Sequence, residues 1–258
     1  MSIKRVSIFG CGWVGKALLE ELRHDYEVHC SVENQSSYDA LEGEKRFLLS
    51  ADNLYEKIFY DVDVLVIAIP PRGEYLETLT QLLSFLPSNR QLILLSSTSV
   101  YTQTKGVVIE YDTQEIEEPT LMLQAERLVA SLRSDVVILR LGGLMGYDRV
   151  AGKYTAGKTK AHDVPVNYIH RDDVVSVIKL CIEHDIRAEV FNVVAPLHPK
   201  QSEIYALNAK AFGWENTYFE SDELRAKVVS SEKLVAYFNY QFVEANPLKF
   251  WKGSHPCP

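Results

Sequence analysis

The sequence predicts an α/β fold in which a parallel sheet is wound on both faces and followed by a smaller C-terminal region. Two observations carry that prediction. Between Arg5 and Leu141, short apolar runs alternate with amphipathic ones, the order expected of repeated strand–helix units. The earliest apolar run, Arg5–Phe9, leads into Gly10, Gly12 and Gly15, spaced G-x-G-x-x-G where a strand gives way to a helix. Each glycine has a mechanical reason. Gly10 permits the tight turn, Gly12 leaves the backbone open to a pyrophosphate, and Gly15 allows close helix packing. The unpaired N–H groups at the helix start then favour phosphate.

The elements follow in order. Residues 14–22 read as the helix after the glycine turn, and 26–32 as a second strand. Glu33 then opens a polar loop, 33–37. A third strand is expected at 45–49, with Asp52 beyond its end. Residues 63–69 are apolar without alternation, which suits a central strand buried on both faces. Pro70 and Pro71 stop it. Residues 74–86 carry Tyr75, Leu76, Leu79, Leu82, Leu83 and Leu86 on one helical stripe. Residues 91–96 form another buried strand, ending in the hydroxyl cluster Ser96, Ser97, Thr98 and Ser99. A polar loop is expected over 102–119. Leu121–Leu132 is a helix with Leu121, Ala125, Leu128, Val129 and Leu132 inward, and residues 136–141 are a further strand leading to Gly142 and Gly143.

Texture changes after Gly146. Residues 147–166 read as loop and 166–170 as extended. A helix capped by Asp172 runs to His184. A strand at 189–194 and a helix at 202–212 follow, with Gly213 as the helix stop. An extended piece at 228–230 and a helix at 231–238 precede an irregular end.

Composition excludes several classes. The 258 residues are 47% apolar and 24% charged, with a formal net charge of −8. An acidic chain lacks the basic face that nucleic acid or an anionic membrane needs. No apolar run reaches the length of a membrane span. The first strand begins at Arg5, leaving no room for a signal peptide, so a cytoplasmic protein is expected. Cys11, Cys30, Cys181 and Cys257 have spacings that suit neither a zinc site nor a disulfide framework. A reducing compartment is the simple expectation, with Cys11 merely a small residue in the turn. No metal site is expected.

Ligands of such sheets lie outside the carboxyl ends of the strands. Gly10, Cys11, Gly12, Trp13, Val14 and Gly15 are therefore the expected dinucleotide contacts, with Ala68, Ile69, Pro70, Ser96 and Gly142 along the other strand ends. Glu33 stands about 20 residues past the glycine turn, where an acid can accept from the adenosine ribose. No arginine in the loop at 33–37 pairs with a 2′-phosphate, so of NAD and NADP the expectation leans to NAD.

With these blocks in place, the chain resembles the extended short-chain dehydrogenase/reductase superfamily, in its atypical epimerase-like branch (the YeeZ-like group of NAD-dependent epimerases and dehydratases). The resemblance rests on Phe9 to Gly15, on Ser96-Ser97-Thr98-Ser99-Val100-Tyr101, on residues 139–146, on Asn167-Tyr168-Ile169-His170-Arg171-Asp172-Asp173, and on Val190-Phe191-Asn192-Val193. It implies an N-terminal Rossmann domain and a small C-terminal substrate lid. It also implies that Ser97, three residues before the Val-Tyr pair, hydrogen-bonds the reacting oxygen. The family's Tyr-x-x-x-Lys pair, in which the lysine lowers the tyrosine pKa, is missing. Aligned on Ala125-Glu126, its places hold Glu118 and Met122. Tyr101…Lys105 and Tyr154…Lys158 match the spacing elsewhere, as chance allows among 14 tyrosines. Tyr101 is the best-placed remaining phenol, and His170 a lesser alternative that more simply packs the following helix.

The expected division is a NAD(P)-binding domain at 1–146 and a substrate lid at 147–258, with 166–194 returning to the Rossmann core. The expected function is NAD(P)-dependent oxidoreductase or epimerase/dehydratase chemistry on a small hydroxyl- or carbonyl-bearing substrate, such as a sugar nucleotide. The competing expectation is a non-catalytic NAD(P)-binding module that senses redox state or contacts a protein. The expected partners are dinucleotide and substrate, with neither nucleic acid nor membrane. The chain is expected to be a monomer or a homodimer.

Overall fold

The structure is a computed structural model and describes residues 3–41, 45–50, 53–103, 105–114, 116–221 and 227–252. Asp52 and Cys257 lie outside the described residues. The chain begins with β1 (Arg5–Phe9), α1 (Trp13–Leu22), β2 (Glu27–Val32), α2 (Gln35–Asp39), β3 (Arg46–Leu48), α3 (Lys57–Tyr60), β4 (Val64–Ile67), α4 (Tyr75–Phe85) and β5 (Gln91–Ser97). It continues through β6 (Gly106–Val108), α5 (Leu121–Leu132), β7 (Val137–Leu141), β8 (Gly143–Met145), β9 (Thr159–His162), β10 (Tyr168–His170) and α6 (Arg171–Glu183). β11 (Val190–Val193), α7 (Gln201–Phe212), β12 (Tyr218–Ser221), β13 (Lys227–Val229) and α8 (Glu232–Phe238) complete it.

Seven strands form one sheet in the order β11-β7-β5-β4-β1-β2-β3. β1 pairs in parallel with both β2 and β4, and β4 with β5. All four residues of β4 have no exposed surface. Removing side chains of this size from water stabilises by about 1.5–3 kcal/mol each. The doubly wound α/β fold expected from the strand–helix alternation is the fold observed.

By contacts, the chain divides into two units. The first comprises residues 1–100, 117–139 and 175–190, and the second 101–116, 140–174 and 191–258. In the first, the carboxamide of Gln91, fully buried at the start of β5, donates to the carbonyls of Cys181 and Ile186. This ties the end of α6 to the sheet. In the second, side chains do much of the fastening. Asn167 donates to the carbonyl of Lys227 and accepts from the N–H of Val229. Asp173, fully buried, accepts from the Tyr240 hydroxyl and from the N–H groups of Val243 and Glu244. Burial pushes the Asp173 carboxyl up, against the pull of those hydrogen bonds.

Several local expectations change. The loop at 33–37 contains α2, because the Asn34 side chain accepts from the N–H of Ser37 and caps a helix turn. The loop at 102–119 contains β6 and a 3-10 turn at Glu110–Thr113. β6 pairs with β13, far along the chain, so local pattern does not reveal it. The same holds for β9 and its partner β12 within the expected loop at 147–166. On α5 the buried stripe is Met122, Leu123, Ala125, Glu126 and Val129, while Leu121 and Leu132 are 41% and 48% exposed. The stripe is rotated because Glu126 is inward: its carboxylate accepts from the Ser96 hydroxyl at 2.5 Å.

Candidate nucleotide site

β1 lies between β2 and β4, so the connections leaving β1 and β4 run to different sides of the sheet. A crevice at such a switch point is where open α/β sheets take ligands. A cavity of about 360 Å³ opens there within the first unit. Gly10, Ile69 and Pro70 line it at the strand ends. Ser31 and Glu33 line it from the end of β2, and Arg72 and Tyr75 from the start of α4.

The glycines fit their mechanical roles. Gly10 has φ +106°, and a Cβ there would stand 2.8 Å from Ile69 Cγ2 and 2.9 Å from the Ala68 carbonyl oxygen. Gly12 faces open space, with nothing within 4 Å of a built Cβ. A Cβ on Gly15 would collide with the Gly10 carbonyl oxygen, so this glycine packs the helix onto the turn itself. The helix begins without a side-chain cap on Gly12. Cys11, Val14 and Gly15 are buried beneath the turn, and Trp13 is half-buried.

One expectation is overturned here. Cys11 and Cys30 form a disulfide, with Cα atoms 5.8 Å apart. Their separation of 19 residues follows no scaffold spacing. The pairing arises because β1 and β2 are neighbours and the turn after β1 folds back over β2. The N–H of Cys11 donates to the Ser31 carbonyl, and that of Gly10 to the Ser31 hydroxyl. Cys11 is therefore more than a small filler, and the cysteines give no argument for a reducing compartment. Cys181 is free and buried, and burial pushes its thiol up to about 12.

Of the expected contacts, Gly10, Glu33, Ile69 and Pro70 line the cavity. Ala68 donates its N–H to the Phe9 carbonyl between the two strand ends. Ser96 is buried with Glu126, as described above. Gly142, in the second unit, is buried where a Cβ would stand 2.6 Å from the Asn167 carbonyl oxygen. Ser31, Arg72 and Tyr75 were missed. Arg72 lies between the prolines and the next helix, where no periodic pattern marks it. Helical spacing alone puts Tyr75 in the stripe that packs on the sheet. It is 2% exposed, and its hydroxyl has no hydrogen-bond partner among the described residues. Burial, with the Glu126 charge adding to it, pushes its phenol up to about 12.

The catalytic candidates are placed as follows. Ser97 ends β5, half-buried, and its hydroxyl accepts from the N–H of Ser99. At the two places of the missing dyad, Glu118 is exposed and Met122 is buried. Tyr101 belongs to the second unit and is 3% exposed. Its hydroxyl donates to Asn192 Oδ1 at 2.7 Å and accepts from Arg140 Nη1 at 3.0 Å. Burial pushes its phenol up, and Arg140 pulls the other way. Arg140 also donates to the Glu110 carbonyl and the Thr113 hydroxyl. Glu110 in turn accepts from the N–H of Asn192. Lys105 is exposed. Lys158 donates to the Tyr154 carbonyl, and Tyr154 is 53% exposed. His170 accepts at Nδ1 from the N–H of Asp172 and packs between the rings of Tyr147 and Phe250.

No family model matches the sequence. The chain is 28% identical to protein YeeZ of Escherichia coli K12 over 271 aligned positions, covering 95% of this chain and 98% of YeeZ. It superposes on a proposed NAD-dependent epimerase/dehydratase from Methylobacillus flagellatus with a TM-score of 0.81 and 24% identity, over 98% and 97% of the two chains. A short-chain dehydrogenase/reductase superfamily protein from Agrobacterium tumefaciens, solved with bound NAD, gives a TM-score of 0.76 at 15% identity, over 97% and 95%. The chain shares the doubly wound α/β fold of these structures. Gly10 brings the start of the glycine turn to the switch-point cavity. Among the described residues, no helix is long and apolar enough to cross a membrane, and no cluster of His, Cys, Asp and Glu could hold a metal ion.

Proposed function

We propose that this epimerase-like chain binds NAD(P) across the glycine turn and uses it in oxidoreductase or epimerase/dehydratase chemistry on a small hydroxyl- or carbonyl-bearing substrate. A sugar nucleotide is the proposed form of that substrate. The observation that carries the reading is the cavity of about 360 Å³ lined by Gly10, Glu33 and Ile69 at the switch point. Its volume falls in the range of small-molecule sites. The open face of Gly12 and the uncapped start of α1 suit a pyrophosphate. When bound, a nicotinamide supplies a hydride acceptor or donor. The likeness to NAD-binding neighbours supports the same reading.

The residues divide the remaining work. Glu33 accepts from a ribose hydroxyl. Arg72, in the same cavity wall, offers a guanidinium to phosphate, which weakens the preference for NAD that Glu33 alone suggests. Ser97 orients the reacting oxygen. Tyr101 could deliver a proton only by giving up its bonds to Arg140 and Asn192, so it acts first as a holding residue. The region at 147–258 carries substrate recognition.

The second reading, a non-catalytic nucleotide-binding module, is favoured by the exposed Glu118 and buried Met122 where a proton-transfer pair would stand. Titration with NADH and NADPH, followed by fluorescence, tests what the two readings share. Binding is expected below millimolar concentration and is expected to fail in Gly12→Leu. No binding of either cofactor would sink both. Turnover of the bound cofactor against a panel of sugar nucleotides separates them, and absence of turnover across the panel favours the module.

A further inference from the structure

We propose that Cys11 and Cys30 are a reversible dithiol–disulfide modification site that fastens the glycine turn to β2 and so sets its affinity for dinucleotide. The affinity part rests on the proposed function; the fastening does not.

Few side chains fasten the turn to its neighbours. Gly10 and Gly12 have no side chains to pack, Gly12 faces open space, and α1 starts without a side-chain cap. Its polar and covalent attachments run to two consecutive residues of β2. The N–H of Gly10 donates to Ser31 Oγ at 3.2 Å, the N–H of Cys11 donates to the Ser31 carbonyl at 2.7 Å, and the Cys11 sulfur is bonded to that of Cys30. The disulfide is the only covalent member of the three. Cys11 and Cys30 are 4% and 2% exposed. Two thiol sulfurs cannot approach to the bonded distance of about 2.05 Å. The extra room for the reduced pair must come from displacement of the turn and β2 relative to one another, which loads the two hydrogen bonds to Ser31.

The chemistry balances with a low-molecular-weight disulfide as oxidant. One cysteine thiolate attacks a sulfur of RSSR, forms a mixed disulfide and releases RS⁻. The second thiolate attacks the protein sulfur of that mixed disulfide, closes the Cys11–Cys30 bond and releases the second RS⁻. The two protons lost by the cysteines go to the two RS⁻. A dithiol reverses the sequence. Gly12, beside Cys11, is exposed, so exchange proceeds through opening of the turn. A dinucleotide seated over Gly12 therefore slows exchange. By linkage, it favours the disulfide by the same factor by which the disulfide favours its binding.

The test compares full-length protein equilibrated with oxidised glutathione and with dithiothreitol. Peptide mapping is expected to find a Cys11–Cys30 cross-link only in the oxidised sample. Hydrogen exchange is expected to show the amides of residues 10–16 more protected when oxidised. NADH and NADPH are expected to bind about fivefold or more tightly to the oxidised form. Cys30→Ser is expected to match the reduced protein in both solutions. Failure to find the cross-link, or equal protection of the turn in both states, overturns the proposal. Equal affinities with unequal protection overturn its affinity part. A cross-link with unequal protection but no nucleotide binding in either state leaves the fastening supported and removes the proposed function instead.

Discussion

Two buried tyrosines show how differently the two units are held. Tyr75, in the first unit, is 2% exposed, and Tyr101, in the second, is 3% exposed. The hydroxyl of Tyr75 has no partner among the described residues, whereas that of Tyr101 is gripped by Arg140 and Asn192. In the first unit, apolar strands and helix stripes make the core, and a polar atom can lie buried without a partner. In the second, strands are short and the backbone irregular, so polar side chains do the joining. Asn167, Asp173 and Arg140 each bind groups distant in sequence. An idle buried hydroxyl is a rare thing in native proteins and calls for an explanation.

The sharpest way to break this comparison is to remove the centre of the second unit's network. Arg140→Met should lower stability by about 3–5 kcal/mol, because it strips partners from Tyr101, Thr113 and the Glu110 carbonyl in a buried place. Urea unfolding measures this, and a loss under about 1 kcal/mol would make the network decorative. A smaller effect is expected in the first unit from Gly15→Ala. The added methyl meets the Gly10 carbonyl, backbone that cannot step aside, and should cost about 1–3 kcal/mol. Gly12→Ser should stay within about 0.5 kcal/mol, because that position opens on empty space. If the two variants are equally stable, the packing role of Gly15 is wrong.

The same contrast explains what could be read from the chain. The first unit announces itself because its order is local. The run 63–69 has no alternation, the stripe from Tyr75 to Leu86 has helical spacing, and the glycines stand at a strand–helix junction. Gly10, Glu33, Ile69 and Pro70 were therefore legible among the cavity's lining. Arg72 was not, since a connection has no period to mark a functional side chain. The disulfide was invisible because the proximity of Cys11 to Cys30 is made by strand neighbours, not by spacing. In the second unit, β6 and β9 escaped because their partners, β13 and β12, lie far along the chain. The stripe of α5 was misread because hydrophobicity alone turns Leu121 and Leu132 inward. What decides it is a buried carboxylate whose partner, Ser96, is on another element.

Removing only the two hydroxyls sharpens the comparison further. Tyr101→Phe leaves Arg140 and Asn192 each short of a buried partner and should cost about 1–3 kcal/mol. Tyr75→Phe removes a hydroxyl that bonds to nothing among the described residues and should be neutral or stabilising by about 1 kcal/mol. Paired unfolding curves decide this. Equal losses would mean that Tyr75 has a partner after all.

The smallest expected effect is on pH dependence, and it too separates the units. Each contains a histidine whose pKa burial lowers: His29 in the first, despite Glu27, and His198 in the second, despite its bond to the Val166 carbonyl. A depressed pKa means that the unfolded chain takes the proton first. The stabilisation is therefore fully present above the unfolded value of 6.5 and is lost as pH falls through the lower folded value. Each histidine can add a slope of at most about 1.4 kcal/mol per pH unit in that window. His29 packs on the Phe47 ring, its Nδ1 has no partner among the described residues, and its Nε2 meets Glu27 Oε1 at 3.3 Å. Replacing it with Phe keeps the ring contact and removes the titration. Unfolding of His29→Phe and His198→Phe, followed from about pH 7.5 to 5.5, should show each variant losing part of the acid sensitivity. An unchanged slope in His29→Phe would mean that the buried imidazole is charged in the folded protein, and that Glu27 outweighs its burial.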